Sequence, residues 1–196
     1  MARGCRFSGV SRMVGNPIPA DGELLQRFQT GEQAAFDQLV DRYQVRLLRF
    51  AARTLGNGER AEDVVQETFL RLLRKTPDKA VNGAIGPWLF RVCRNYAYDL
   101  MKLESREKQR REKVAKEEAV QASSSDAERA ELRVFVAQAL EKLPPKQREV
   151  VRLKVQEGLS YREISEVTGL KTGYIGWLVH TGLEALTERL RSAGAL

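Results

Sequence analysis

The chain offers few side chains that could perform covalent or metal chemistry, and their spacing does not favour it. Its 196 residues include one histidine, His180, and two cysteines, Cys5 and Cys93, which are too few for a recognisable zinc site or a disulfide framework. Asp63 and Glu67 lie one helical turn apart, as half of a magnesium site would, but no second carboxylate pair accompanies them. The sequence also lacks a glycine-rich phosphate loop and a nucleophile paired with a base. We therefore predict no metal, no cofactor, no small-molecule substrate and no enzymatic activity.

The charge balance points to a polyanionic partner instead. The chain has 33 lysines and arginines against 26 acidic residues, a formal net charge of +7. Cations that neutralise phosphates release counterions, so such an excess favours binding to nucleic acid. No stretch approaches the roughly 18 consecutive apolar residues of a spanning helix, and no secretory signal follows the basic start. We expect a cytoplasmic protein that does not enter a membrane.

One set of residues has the types needed to bind single-stranded nucleic acid. Its members recur at spacings of three and four, so a helix would place them on one face. Aromatic rings stack on unpaired bases, and cations contact the phosphates between them. The set consists of Trp88, Arg91, Asn95, Tyr98 and Lys102.

The segment from Ser160 onward has the outline of a helix-turn-helix. Ser160 followed by Glu163 is the pattern of a capping box, and Gly169 predicts the turn. Thr172 is expected to cap a final helix that reaches about Arg191. The first turns of the second helix in such a motif can enter a major groove. The same outline occurs in proteins without a DNA partner, so by itself it leaves DNA binding open.

All elements that position these residues are predicted to be helices. Apolar residues recur at three and four positions, whereas the alternating pattern of half-buried strands is hard to find. We predict an all-α fold with two small helical domains joined by a flexible charged linker, the C-terminal domain containing the helix-turn-helix. The predicted boundaries are a disordered arm at 1–20, a first domain at 21–103, a linker at 104–128 and a second domain at 129–192.

The last helix contains residues whose roles the pattern does not fix. Trp177 is expected to be a core anchor, and an exposed contact for DNA or a partner is the alternative. Gly176 and Gly182 would each cost about 1 kcal/mol relative to alanine, so we expect close packing there against a helix or DNA. In the other helices, the residues assigned to the apolar inner faces include Leu73, Leu103 and Val155.

Two blocks of the sequence resemble conserved regions of bacterial sigma factors. Ala61–Leu72 and its continuation Pro87–Asn95 resemble the second region, while Leu143–Val151 and Glu157–Ile164 resemble the fourth. The blocks occur in the right order, and regions one and three are missing, as in the extracytoplasmic-function (ECF) group of the sigma-70 family. The resemblance covers roughly Glu23 to Leu103 and Ala130 to Arg191.

The resemblance implies partners and a first set of binding residues. Asp63, Gln66 and Glu67 share one polar helix face, which in the family docks on the coiled coil of the polymerase β′ subunit. A protein of this family binds core RNA polymerase through its β′ and β subunits and binds promoter DNA. It would normally be restrained by an anti-sigma factor.

The resemblance also assigns residues to the two promoter elements. The loop from Thr76 to Gly86 resembles the segment that captures a base flipped out of the minus-ten element, with Asn82 as the candidate contact. The face formed by Trp88, Arg91, Asn95, Tyr98 and Lys102 would bind the same single strand. The minus-thirty-five duplex is assigned to Lys171, Thr172 and Tyr174, helped by Arg162 and Lys146. Relatives are more basic in this last helix, so fewer phosphate contacts are expected here.

The main alternative is a helix-turn-helix transcriptional regulator that does not associate with core polymerase. Such a regulator would carry a sensor or receiver domain in its N-terminal half, with strand and helix alternation or an effector pocket. The N-terminal half of this chain shows neither pattern. The sequence therefore favours a factor that directs RNA polymerase to promoters and opens the strands there.

Overall fold

The structure is a computed structural model that describes residues 19–56, 58–74, 85–111 and 135–193, with the backbone alone for 107–111. Within these ranges every regular element is a helix, so the predicted all-α class is confirmed. The predicted arm and linker lie mostly outside the described residues, although Glu104 to Arg111 continue a helix. The helices are α1 (Asp21–Gln29), α2 (Gln33–Leu55), α3 (Ala61–Arg74), α4 (Ile85–Arg111), α5 (135–141), α6 (Pro145–Val155), α7 (Tyr161–Thr168) and α8 (Thr172–Ser192).

The first four helices pack around one apolar core. α2 lies against α1, α3 and α4, and α3 also packs on α4. The inner stripes of the four helices meet in side chains that are fully buried, each of which stabilises the fold by roughly 1.5 to 3 kcal/mol. A polar clamp holds α1 on α2, because the Asp21 carboxylate accepts hydrogen bonds from Arg42 and Tyr43. The buried side chains include Leu24, Leu25, Leu39, Leu47, Val64, Leu72, Leu89 and Phe90.

The second domain is built around the predicted helix-turn-helix. The capping box is confirmed: the Glu163 backbone N–H donates to Ser160 Oγ at 3.2 Å, and the Ser160 N–H donates to the Glu163 carboxylate at 2.7 Å. Gly169 ends α7 with a φ of 76°, a conformation that glycine adopts without strain. The predicted cap at Thr172 is wrong. α8 begins at Thr172 itself, the preceding Lys171 occupies the cap position, and no side chain caps this end.

Close packing of α6 on α8 accounts for Gly182. A Cβ atom added there would lie 2.7 Å from Val151 Cγ2, so only glycine fits without a shift. Buried Gln147 of α6 reinforces the contact, donating from Nε2 to Thr181 Oγ1 at 2.8 Å. The requirement at Gly176 is weaker, because a Cβ there would be in ordinary contact with the Tyr161 ring at 3.6 Å.

Several apolar residues assigned to inner faces are exposed. Trp177 is 56% exposed, so the core-anchor prediction is wrong, and the residue has the exposure that the alternative, a contact for DNA or a partner, requires. Apolar residues occur nearly all round the first half of α8, and only its packing on α6 and α7 decides which of them is covered. Leu73 and Val155 lie in the last turns of α3 and α6, Leu103 lies in the last third of α4, and all three are exposed.

The two domains touch through a mixed apolar and polar interface. α7 packs on α4, and the buried apolar cluster continues from one domain into the other. Arg94 of α4 donates to both carboxylate oxygens of Glu149 in α6, at 2.6 and 3.1 Å. Arg46 of α2 donates to the Glu157 backbone carbonyl at 2.7 Å and to its carboxylate at 3.2 Å. The sequence indicated two domains and a linker but not this contact.

Candidate nucleic-acid interface

The polar face of α3 is open to solvent at two of its three predicted binding residues. Asp63 and Gln66 are exposed and bond to no other described side chain. Glu67 is only 24% exposed, and its carboxylate accepts from Arg71 Nε at 2.9 Å. Arg71 in turn lies over the Tyr96 ring, 4.9 Å from its centroid. The predicted trio therefore divides into two accessible residues and one that is held by its own domain.

The polar face of α4 divides in the same way. Arg91, Asn95 and Lys102 are exposed, as the helical spacing predicts. Trp88 and Tyr98 are half-buried, and Trp88 packs against the apolar core. Asn82, the candidate for holding a flipped base, lies outside the described residues.

Arg94 belongs to this face but was missed by the sequence prediction. Its guanidinium lies over the Tyr98 ring, 4.7 Å from the centroid, and forms the ion pair with Glu149. Burial, and then the nearby Glu149 carboxylate, raise the pKa of the Tyr98 phenol above its ordinary value. Arg94 precedes Tyr98 by one helical turn, so spacing alone could have added it to the set. The spacing of residues in the sequence did not indicate its ion-pair partner, Glu149 on α6.

The five residues assigned to the minus-thirty-five duplex are all exposed on three neighbouring helices. Lys146 lies in the first turn of α6, Arg162 in the first turn of α7, and Lys171, Thr172 and Tyr174 at the start of α8. They share a domain, and no hydrogen bond or ion pair joins them among the described residues. The first turn of α8 has no acidic residue and no side-chain cap. Its backbone N–H groups are therefore suited to a phosphate.

An exposed aromatic pair adjoins these residues. Tyr174 and Trp177 stack with ring centroids 5.7 Å apart and an interplanar angle of 11°. Tyr161 on α7 is also 40% exposed, with Lys154 Nζ 5.3 Å from its ring centroid. Trp177 was absent from the predicted site because its apolar character favoured the core.

Metal and membrane features were also sought in the part of the chain that the structure describes. In that part, no three histidine, cysteine, aspartate or glutamate side chains gather as metal ligands would. Over the same ranges no helix combines the length and the apolar character that crossing a membrane requires.

Family models match both halves of the chain. Residues 39–107 match sigma-70 region 2. This range includes most of α2, all of α3 and the part of α4 whose side chains the structure describes. Residues 136–186 match sigma-70 region 4, which contains the helix-turn-helix. A regulator that acts without polymerase is therefore not favoured, because the N-terminal half has a sigma region where such a protein would have a sensor.

Relatives of known function agree with the models over nearly their whole length. The chain is 34% identical to the RNA polymerase sigma factor CarQ of Myxococcus xanthus, over 85% of this chain and 95% of that protein. It is 30% identical to the ECF RNA polymerase sigma factor SigW of Bacillus subtilis, with the same coverage.

Solved structures show the same fold. The sigma factor RpoE, in complex with the anti-sigma factor NepR from Bartonella quintana, has a TM-score of 0.65 and 27% identity over 80% of this chain and 96% of that one. CnrH, in complex with the cytosolic domain of CnrY, has a TM-score of 0.64 and 30% identity over 89% and 99%. With both regions matched and relatives aligned across both domains, the chain belongs to the ECF sigma factors, which recognise promoters together with RNA polymerase.

Proposed function

We propose that the polar face of α3 binds core RNA polymerase on its β′ subunit. Asp63 and Gln66 are the direct contacts, because they are accessible and have no described side-chain partner. Glu67 contributes at the edge of this surface while remaining paired with Arg71. A face that combines a carboxylate with an amide suits a partner that presents hydrogen-bond donors and cations.

The face of α4 binds the single-stranded minus-ten element. Arg91 and Lys102 contact phosphates, and Asn95 reads a base edge or a sugar, because these three side chains reach solvent. Trp88 and Tyr98 supply ring edges at the border of the face. Asn82 is proposed to hold a flipped base, on the resemblance alone.

The second domain binds the minus-thirty-five duplex. The start of α8 enters the major groove, with Lys171, Thr172 and Tyr174 at the bases or adjacent phosphates. Arg162 and Lys146 contact the flanking backbone from the first turns of α7 and α6. This arrangement uses phosphate contacts to position the domain and a few side chains to specify sequence.

The protein acts in the cytoplasm as a non-enzymatic subunit of the polymerase, contacting its β′ and β subunits. An anti-sigma factor is a further proposed partner, supported by the complexes of RpoE with NepR and of CnrH with CnrY. Such a partner would restrain the factor by covering its polymerase-binding and DNA-binding faces. The observation that carries the whole proposal is that exposed polar faces occur in both matched sigma regions.

Transcription in vitro, with core polymerase and a pool of genomic fragments, tests this function. New start sites are expected with the protein, and the pool also identifies promoters for further work. The double variant Asp63→Ala and Gln66→Ala is expected to weaken core binding about tenfold or more, as at an interface hot spot. Asp37→Ala, an exposed acid on α2, is the matched control and should bind core like wild type. Absence of both new start sites and core binding would exclude the proposed function.

A further inference from the structure

We infer that Trp177, stacked on Tyr174, reads thymine methyl groups in the major groove of the minus-thirty-five element. This inference rests on the proposed function of α8 and adds a specificity-determining contact to it. The residues that carry it are an exposed aromatic pair and a neighbouring glycine that the fold itself does not require.

The aromatic pair is exposed where a monomeric fold would gain by covering it. Tyr174 is 44% and Trp177 is 56% exposed, and their stacking joins them into one exposed apolar patch. Large exposed apolar surfaces of this kind mark binding sites more often than they stabilise a monomer. Trp177 faces away from α6 and α7, because the buried side of α8 is formed by Ile175, Leu178 and Val179.

Gly173 supports a close approach of the partner at this place. It lies four residues before Trp177, and therefore on the same face of α8. A Cβ atom at Gly173 would meet nothing within 4 Å, whereas one at Gly182 would collide with Val151. Packing thus explains Gly182 but not Gly173, where alanine would favour the helix. A missing side chain beside Trp177 leaves room for atoms of a bound molecule.

The position and charge of the pair favour duplex DNA as that molecule. Residues in the first turns of the second helix of a helix-turn-helix reach base edges, and Tyr174 and Trp177 occupy the first two turns of α8. Lys171 and Arg162 are exposed nearby, and the first turn carries no acidic residue. The thymine C5-methyl is the apolar group that the major groove presents, and it is the natural contact for an aromatic ring.

The low number of cations in α8 fits the same interpretation. Lys171 supplies the positive charge at the N-terminal end of α8. With so few cations there, this helix derives little of its affinity for DNA from phosphates. Apolar contact with base methyl groups would supply both affinity and sequence preference without charge. The contact ends before Glu184, whose carboxylate lies 3.3 Å from His180 Nε2 farther along the helix.

Replacement of thymine by deoxyuridine tests the inference, because it removes only the methyl group. The wild-type holoenzyme would be measured on a promoter found in the transcription experiment, with each thymine on either strand of its minus-thirty-five element replaced in turn. At least one replacement is expected to weaken binding about fourfold, the effect of removing one buried methyl group. Trp177→Ala is expected to weaken binding to the normal promoter and to abolish this thymine preference.

Two further variants distinguish the thymine contact from the general binding of α8 to promoter DNA. Lys171→Ala should weaken promoter binding but keep the ratio of thymine to deoxyuridine affinity. Gly173→Ala should raise the thermal stability of the protein or leave it unchanged, yet weaken promoter binding, because its Cβ touches nothing within the fold.

The possible failures are distinguishable. The thymine contact is wrong if Lys171→Ala weakens promoter binding while Trp177→Ala retains the full thymine preference. It is equally wrong if no deoxyuridine replacement matters, or if neither strand of the element contains thymine. Weaker binding of Trp177→Ala to core polymerase without DNA would assign the aromatic pair to a protein partner and overturn the inference. If neither Lys171→Ala nor Trp177→Ala changes promoter binding, the proposed role of α8 itself is wrong.

Discussion

The two helices proposed to contact promoter DNA, α4 and α8, present their outer faces in opposite ways. On α4, Arg94 and Tyr98 are engaged by Glu149 of the other domain and are only partly exposed, whereas Arg91, Asn95 and Lys102 beside them are exposed. On α8, Tyr174 and Trp177 contact each other and are otherwise exposed. The helix with the more cationic face is thus partly covered, while the helix with the aromatic face is open.

This difference shows that exposure on a helix is decided by the domain opposite as well as by the helix itself. The interface covers part of α4 through one bidentate ion pair and an apolar contact with α7. Full exposure of Arg94 and Tyr98 to a single strand is therefore expected to require separation of the domains. α8 requires no such change, because its outer face already reaches solvent.

The largest expected effect comes from removing the ion pair that covers α4. Glu149→Gln keeps the shape of the side chain but leaves Arg94, which is 22% exposed, without its charged partner. Charge-assisted hydrogen bonds contribute about 1.5 to 3 kcal/mol when enclosed, and partial exposure reduces this to about 1 to 2 kcal/mol. The ratio of closed to open molecules should fall about tenfold. Small-angle X-ray scattering at rising salt, which weakens the remaining ion pairs, would detect the larger open fraction of the variant as a larger radius of gyration.

A control separates the local effect from a change in overall charge. Glu188→Gln removes an exposed carboxylate from α8, far along the helix from the predicted DNA contact, and should leave the radius of gyration unchanged. If Glu149→Gln behaves like this control at physiological salt, the ion pair does not hold the domains together. The apolar contact between α4 and α7 and the contact of Arg46 with Glu157 would then be the principal connections.

The sequence predicted the fold well because the spacing of apolar residues within each helix indicates which face is buried. The capping box at Ser160, the turn at Gly169 and the apolar stripes of α2, α3 and α4 all follow from spacing within one segment. Exposure of Asp63, Gln66 and Arg91 followed in the same way, since these residues lie opposite such stripes. Local periodicity was sufficient wherever one neighbouring element covers one face.

Prediction failed where several surfaces compete or where the partner is distant in sequence. Trp177 was assigned to the core because apolar residues surround it along α8, and periodicity does not choose among them. The pairing of Arg94 with Glu149 spans 55 positions, and neither residue shows it from its neighbours. Thr172 was taken as a cap on its residue type, whereas helical geometry begins at that residue itself.

A smaller effect is expected from single cations on the open part of α4. Arg91→Ala or Lys102→Ala should reduce the salt dependence of holoenzyme binding to a single-stranded minus-ten oligonucleotide. Each lost phosphate contact lowers the slope of log affinity against log salt by about 0.7, with roughly a twofold to fivefold loss of affinity. Asn95→Ala on the same face carries no charge and should leave the slope unchanged. Equal slopes for all three variants would remove the phosphate contacts from this face.

The last prediction concerns the inner face of α4, on which domain opening is expected to have no effect. Cys93 is fully buried beside Thr68, and burial raises the pKa of its thiol to about 12. In a Cys5→Ser variant, alkylation of Cys93 at pH 8 should be at least a thousandfold slower than in the unfolded chain, on the order of the difference in thiolate fraction, because the buried thiol is both largely protonated and shielded from the reagent. The rate should rise with pH, since below the pKa each unit increases the thiolate fraction about tenfold.

The same labelling distinguishes domain opening from unfolding of α4. Adding Glu149→Gln to the Cys5→Ser variant should leave the alkylation rate of Cys93 unchanged, because Cys93 lies against Thr68 of α3 in its own domain. Mass spectrometry after timed quenching would measure both rates. A faster rate in the double variant would mean that the contact with the second domain helps to hold α4 in place. The covered and open helices would then differ in stability as well as in exposure.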